Sequence, residues 1–124
     1  MRDHKKLEVW RRARDLTVLT YNATESFPRR VWYDLCSQIR RSALSIASNI
    51  AEGAGRTSRA EFLNGLSIAA GSTAELQSQL STAASLGYGD REALQGLIAD
   101  ADELKAMISG LRKAVRTRRW WEEP

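Results

Sequence analysis

This 124-residue chain has little histidine, cysteine or proline, with one, one and two of them. With His4 as the only histidine, set in a charged N-terminal arm, neither a histidine-based triad nor a multi-histidine metal site can be assembled within one chain. A di-iron bundle would need Glu-x-x-His pairs on two helices, and the sequence has none. Cys36 alone excludes an internal disulfide framework and fits a reducing compartment. Beside Leu35 on the core-leaning side of a helix, it reads as a buried structural thiol, not a nucleophile. No run approaches the roughly 20 apolar residues of a membrane span. Met1-Arg2-Asp3-His4-Lys5-Lys6 is charged where a secretory leader would be apolar. The expectation is a cytoplasmic protein with no catalytic residues, no metal ligands and no cofactor.

What the chain does hold is ordinary globular material, 43% hydrophobic and 27% charged, enough to bury a core in one domain. Its net charge of +4 is unevenly spread. Residues 1–59 carry 12 Lys/Arg against 6 Asp/Glu, residues 60–111 carry 2 against 7, and residues 112–124 carry 5 against 2. Basic and acidic sections in one chain suit an anionic partner on one side, or self-association in which opposite faces meet. Solvated helix faces account for the same pattern.

Hydrophobic spacing predicts four helices and no strand, an all-α fold. The first runs from about Leu7 to Glu25, with Trp10, Ala13, Leu16, Thr17 and Thr20 on one side; Phe27-Pro28 ends it. The second begins near Trp32 or Tyr33, places Ile39, Ala43, Ile46 and Ile50 on one face, and ends at Gly53 as a left-handed glycine stop. Ser58-Arg59-Ala60-Glu61 is a capping box opening the third, whose core stripe is Phe62, Leu66, Ala69, Thr73, Leu76, Leu80 and Ala84. Gly87-Tyr88-Gly89 ends it, and Asp90 caps the fourth. There Leu94, Leu97, Ala101, Leu104, Ile108, Leu111 and Val115 form an unbroken heptad seam. Four long helices with short connections predict an antiparallel up-down-up-down bundle over residues 1–116, with 117–124 as a tail that frays or docks elsewhere.

Two sets of residues are candidates for function. For RNA, phosphate contacts are expected from Lys5, Lys6, Arg11, Arg12 and Arg14, from Arg29, Arg30, Arg40 and Arg41, from Arg56 and Arg59, and from Arg112, Lys113 and Arg116. Arg118-Arg119-Trp120-Trp121 sets aromatics beside arginines, a combination able to stack on unpaired bases, although a frayed tail or a subunit contact explains it too. Trp10 and Trp32 read as core or rim anchors. The second set is a small, polar stripe on helices two and three: Arg41, Ser45, Asn49, Glu52, Gly71, Ser72 and Glu75. An Arg41–Glu75 pair with Asn49 and Ser72 nearby would make a hydrogen-bonded layer between helices or subunits, and a half-exposed polar face is the other reading. Glu52, Glu61 and Glu75 could converge, but capping and ion pairing explain them without acid–base chemistry. Gly53-Ala54-Gly55 follows a helix and lacks Gly-Lys-Ser/Thr, so it is no phosphate loop.

Several separated motifs occur together in order: Leu7-Glu8-Val9-Trp10, Phe27-Pro28, Gln38-Ile39-Arg40-Arg41-Ser42-Ala43, Ser45 through Gly53 with Gly55-Arg56, Glu61-Phe62, Ala69 through Leu76, and Leu86-Gly87-Tyr88. In these the chain resembles the four-helix-bundle family named after proteins encoded in intervening sequences of bacterial 23S ribosomal RNA genes. The resemblance stops short of the last dozen residues. It implies an antiparallel bundle assembled as a ring-like homopentamer, with no established catalytic activity. Related bundles are accessory proteins of diversity-generating retroelements, where a basic pentamer is associated with reverse transcriptase and RNA. The expected function is therefore a non-catalytic homo-oligomer that binds structured RNA, rRNA included, through arginine-rich surfaces. The alternative is a protein–protein adaptor or accessory protein, for example of a reverse transcriptase, assembled through its charge asymmetry.

Overall fold

The computed structural model describes residues 3–117 and 120. Four α-helices carry the chain: α1 (Glu8–Thr24), α2 (Ser37–Ala54), α3 (Arg59–Ser85) and α4 (Arg91–Val115), with no strand among the described residues. Cross-helix contacts fix their directions. Arg40 of α2 reaches Thr24 of α1, while Thr17 reaches the carbonyl of Ala43. Ser42 meets Glu75 and Ser45 meets Ser72 between α2 and α3. Gln77 of α3 reaches the Ile98 carbonyl of α4, and Arg59 reaches the Arg116 carbonyl just beyond it. Later positions on one helix face earlier positions on the next, so each consecutive pair is antiparallel. Arg12 and Glu103, 3.2 Å apart, link α1 to α4.

The core is the stripe that the spacing predicts. Ile39, Ala43, Ile46 and Ile50 of α2 are fully buried, as are Phe62, Leu66, Ala69, Leu76 and Leu80 of α3. Leu94, Ala101, Leu104, Ile108 and Val115 of α4 complete it, while Leu111 is only half-buried. Near the end of α3 the buried alanine is Ala83, with Ala84 half-exposed, a shift of one position along the wheel. Each large aliphatic side chain buried this way contributes about 1.5–3 kcal/mol relative to exposure. The buried threonines need no partner from another helix. The hydroxyls of Thr20, Thr24 and Thr73 donate to the carbonyls of Leu16, Thr20 and Ala69 four residues back, at 2.7–2.9 Å.

Helix ends follow the predicted chemistry at α3 and α4. Ser58 accepts from the Glu61 N–H at 3.1 Å and Asp90 from the Ala93 N–H at 2.9 Å. At the far end of α3, Gly87 takes φ 80° while the Tyr88 N–H bonds the Ala83 carbonyl, closing a Schellman turn.

Gly53 departs from its expected role as a left-handed stop. The helix runs through it to Ala54, and the following Gly55 has φ −76°, ordinary helical backbone. Gly53 is buried, and a Cβ there would lie 3.3 Å from the Gly65 Cα and the Phe62 ring. A Cβ on Gly65 would lie 2.7 Å from the Asn49 carbonyl oxygen and 3.0 Å from the Gly53 Cα. The two glycines serve close backbone approach where α2 crosses α3.

The start of α2 departs too. A 3-10 turn (Arg29–Val31) and a π-helical turn (Trp32–Cys36) precede the regular helix, and the Ser37 N–H bonds the Trp32 carbonyl five residues back. The extra residue in that turn rotates Tyr33 outward, where it is 99% exposed.

Two substitutions of the same kind should have opposite signs. Gly65→Ala forces a methyl into backbone atoms and is expected to destabilise by about 1–3 kcal/mol. Gly96→Ala, within α4 where a Cβ meets nothing within 4 Å, is expected to stabilise by about 0.5–1 kcal/mol. Thermal and urea denaturation of the two variants beside the parent would show it; equal behaviour would remove the crossing argument.

Candidate nucleic-acid interface

Antiparallel connection places the start of α1, the end of α2, the start of α3 and the end of α4 at one end of the bundle. Three basic segments far apart in sequence are thereby gathered: residues 5–14, 56–59 and 112–116. Asp3 caps the short turn His4–Lys6 by accepting from the Lys5 N–H at 3.0 Å, which sets Lys5 and Lys6 against the bundle. Arg11 then donates to the Lys5 carbonyl at 2.9 Å. Across the end, Arg59 donates to the Arg116 carbonyl at 3.3 Å, joining residues 57 positions apart.

Local acids hold some of these cations. Arg11 pairs with Glu8 at 3.3 Å, Arg12 with Glu103 at 3.2 Å, and Arg14 with Asp15 at 3.1 Å while lying over the Trp10 ring. Arg56 stands between Glu52 at 3.0 Å and Glu61 at 3.6 Å. Such exposed pairs contribute at most about 1 kcal/mol each, so a polyanion can displace them. Lys5, Lys6, Arg59, Lys113 and Arg116 have no ion pair among the described residues. Arg112 differs, since its Nε is buried with no hydrogen-bond partner among the described residues. The end is cationic, solvent-facing and only partly neutralised.

Arg40 and Arg41 lie toward the other end of the bundle. The Arg40 guanidinium lies between the Tyr21 ring at 4.5 Å and the Trp32 ring at 4.7 Å. It donates to Thr24 Oγ1, to the Tyr21 carbonyl and to Glu25, and its side chain is only 18% exposed. Trp32 in turn donates its indole N–H to the Phe27 carbonyl at 2.8 Å. This stack ties α1, its following turn and α2 together, which commits Arg40 to the fold. Arg41, one residue on, is exposed.

The polar stripe between α2 and α3 exists with altered membership. Ser45 and Ser72 hydroxyls are 2.8 Å apart, and Asn49 donates to the Ser45 carbonyl and hydroxyl. Glu75 accepts from Ser42 at 3.4 Å, where the sequence pattern suggests Arg41. Ser42 is the residue that pattern reading missed, although its place between Ile39 and Ile46 on the core stripe marks it as inward-facing. Gly71 is exposed, with nothing within 4 Å of where a Cβ would stand. Glu52 and Glu61 meet at Arg56 while Glu75 lies with Ser42 farther along, so the three acids are not one cluster. Asn49, Glu52, Arg56, Glu61, Asn64 and Ile68 rim a shallow groove of about 260 Å³ over the glycine crossing. No three His, Cys, Asp or Glu among the described residues are grouped to hold a metal ion, and no helix among them is long and apolar enough to cross a membrane.

In the C-terminal tetrad, Trp120 packs on the buried Phe62 with ring centroids 5.9 Å apart. That residue docks on its own bundle; Arg118, Arg119 and Trp121 lie outside the described residues. Cys36 is buried, and Trp10 and Trp32 are half-buried rim residues. Arg40→Lys keeps the charge but loses the planar stack and its fan of donors. It should lower stability by about 1–2 kcal/mol in urea denaturation. An unchanged midpoint would free Arg40 for a ligand-binding role.

A search among curated proteins gives no match. A crystal structure of a protein of unknown function from the S23 ribosomal protein family of Bacteroides thetaiotaomicron superposes with a TM-score of 0.75. The match covers 88% of this chain and 99% of that one at 24% identity, a likeness of fold. The family model described as 23S rRNA-intervening sequence protein matches residues 5–110, from the N-terminal turn nearly to the end of α4. With the four helices and their motifs falling almost entirely inside that span, the chain belongs to the family of 23S rRNA-intervening sequence proteins.

Proposed function

We propose that this is a non-catalytic, cytoplasmic, homo-oligomeric bundle protein that binds structured RNA through its cationic end. The observation that carries this reading is the gathering of residues 5–14, 56–59 and 112–116 at one end, where Lys5, Lys6, Arg59, Arg112, Lys113 and Arg116 lack a carboxylate partner among the described residues. Backbone phosphates need clustered cations and no special fold. The weak exposed pairs of Arg11, Arg12, Arg14 and Arg56 leave those side chains able to exchange a carboxylate for a phosphate. Ribosomal RNA is one such ligand; the family's name describes where genes lie and does not itself identify the ligand.

Self-association is the second part of the proposal, and the exposed strip on α2 and α3 supports it. Ile68 is 46% exposed, and Gly71 and Ala74 are exposed on the same helix as Ser72, whose hydroxyl meets Ser45. The acidic section of residues 60–111 would complement the basic ends of a neighbouring copy. The same strip could receive a different protein, such as a reverse transcriptase, and the adaptor reading is then the correct one.

Two measurements separate these readings. Filter binding of a structured RNA across a salt series should give a steep fall in affinity. Replacing Lys6, Arg59 and Arg116 together with glutamine should make that fall shallower, by about 0.7–0.9 log units for each phosphate no longer neutralised. No retention of RNA at low salt would favour the adaptor. Separately, Gly71 is exposed and a Cβ there meets nothing within 4 Å, so the helical signal of Gly71→Leu should be unchanged while light scattering reports a smaller mass. An unchanged mass would remove α3 from the subunit contact.

A further inference from the structure

We infer that the π-helical turn builds a second contact for RNA, a stacking site for unpaired bases centred on Tyr33. It rests on the RNA reading and adds to it the kind of RNA recognised. Tyr33 is 99% exposed, with both ring faces in solvent and no partner among the described residues. A groove lies on each side of it. One, of about 780 Å³, is lined by Glu25, Phe27, Arg29, Arg30, Trp32 and Tyr33. The other, of about 420 Å³, includes Tyr33, Cys36, Arg40, Arg41 and Leu44. The first groove thus sets aromatic walls against two unpaired guanidinium groups, and the second sets them against Arg41, Arg40 being held in its stack.

The charges around Tyr33 favour a polyanion. Arg29, Arg30 and Arg41 are exposed and have no ion pair among the described residues. Arg30 lies over the Tyr88 ring at 5.8 Å, which holds it beside the groove. Of the nearby acids, Glu25 pairs with Arg40, which leaves the Asp34 carboxylate, accepting from the Leu35 N–H, against three unpaired arginines. Trp32 already has Arg40 stacked on its ring, so Tyr33 is the ring left to receive a base. A nucleobase seated against Tyr33 would bring its flanking phosphates to Arg29 and Arg30 on one side and Arg41 on the other. A paired base cannot enter, because its faces are covered within the duplex. The site therefore selects single-stranded segments, while the opposite end of the bundle binds phosphates regardless of pairing.

Fluorescence anisotropy with a labelled oligouridylate and an RNA duplex of equal length tests this. Tyr33→Ala should weaken the single strand by about 5- to 160-fold, the range for losing one stacked base, and leave the duplex unchanged. Tyr33→Phe and Tyr33→Trp should retain wild-type affinity, and the salt slope of Tyr33→Ala should match wild type because no charge is removed. Tyr33 contacts nothing in the fold, so an unaltered melting curve should accompany the loss. If Tyr33→Ala binds the single strand as wild type does, the stacking site is overturned while the RNA reading stands. Equal weakening on both probes would also overturn it. If wild type binds neither probe at low salt, both fall, and a surface rich in tyrosine and arginine here belongs to an acidic protein partner.

Discussion

The crossing of α2 and α3 at Gly53 and Gly65 is the constraint from which the rest of the bundle follows. A methyl on Gly65 would stand 2.7 Å from a backbone oxygen, so only hydrogen fits there. Close approach at this point brings Ser45 to Ser72 and Ser42 to Glu75 farther along the same pair of helices. It also lets the connection between the helices be as short as residues 55–58, which the Ser58 cap closes. Arg56 lies within that connection and Arg59 follows it as the first residue of α3. From there Arg59 reaches across to the end of α4. The cationic end is thus a product of helix packing.

Much of this was legible in the sequence, and the exceptions have a common cause. The core faces of α2, α3 and most of α4 follow from their hydrophobic spacing, and the caps at Ser58 and Asp90 from local hydrogen-bonding chemistry; on α1 the buried face is Val9, Ala13, Leu16, Thr20 and Thr24, with the expected Trp10 and Thr17 only half-buried. Gly53 was misleading because a glycine near a helix end more often takes the left-handed form, which in this protein falls to Gly87 and Gly89. Gly65, isolated mid-helix, gives no local signal that a neighbouring backbone presses on it. Arg40 looks like any surface arginine until Tyr21 and Trp32 are seen on either side. The π-helical turn is silent as well, since inserting one residue leaves the apolar pattern of α2 intact. What escaped in each case was set by tertiary contact, while what was legible was set within a turn or two of chain.

Charge alone pointed to a partner without saying where it would sit. Folding sorts the basic residues into three groups. Some, such as Arg40, are consumed by the fold. Others, such as Arg12 and Arg56, are held loosely by exposed acids. A third group, including Lys6, Arg59, Arg116, Arg29 and Arg30, has no carboxylate partner among the described residues. That last group divides between the two ends of the bundle. At one end the aromatics Trp10 and Trp120 are packed on the bundle and the cations face outward, and the other sets arginines around an exposed tyrosine. In the RNA reading these are different tasks: one end holds the backbone and the other reads unpaired bases.

The central claim is that the bundle binds RNA as an assembled particle. It is tested most directly by purifying the protein at low salt without nuclease and measuring its absorbance ratio and mass together. Excess absorbance at the nucleic-acid wavelength that ribonuclease removes is expected, with a residual protein mass that is a multiple of the 13.9 kDa chain. A protein-only spectrum at the mass of a single chain would contradict it.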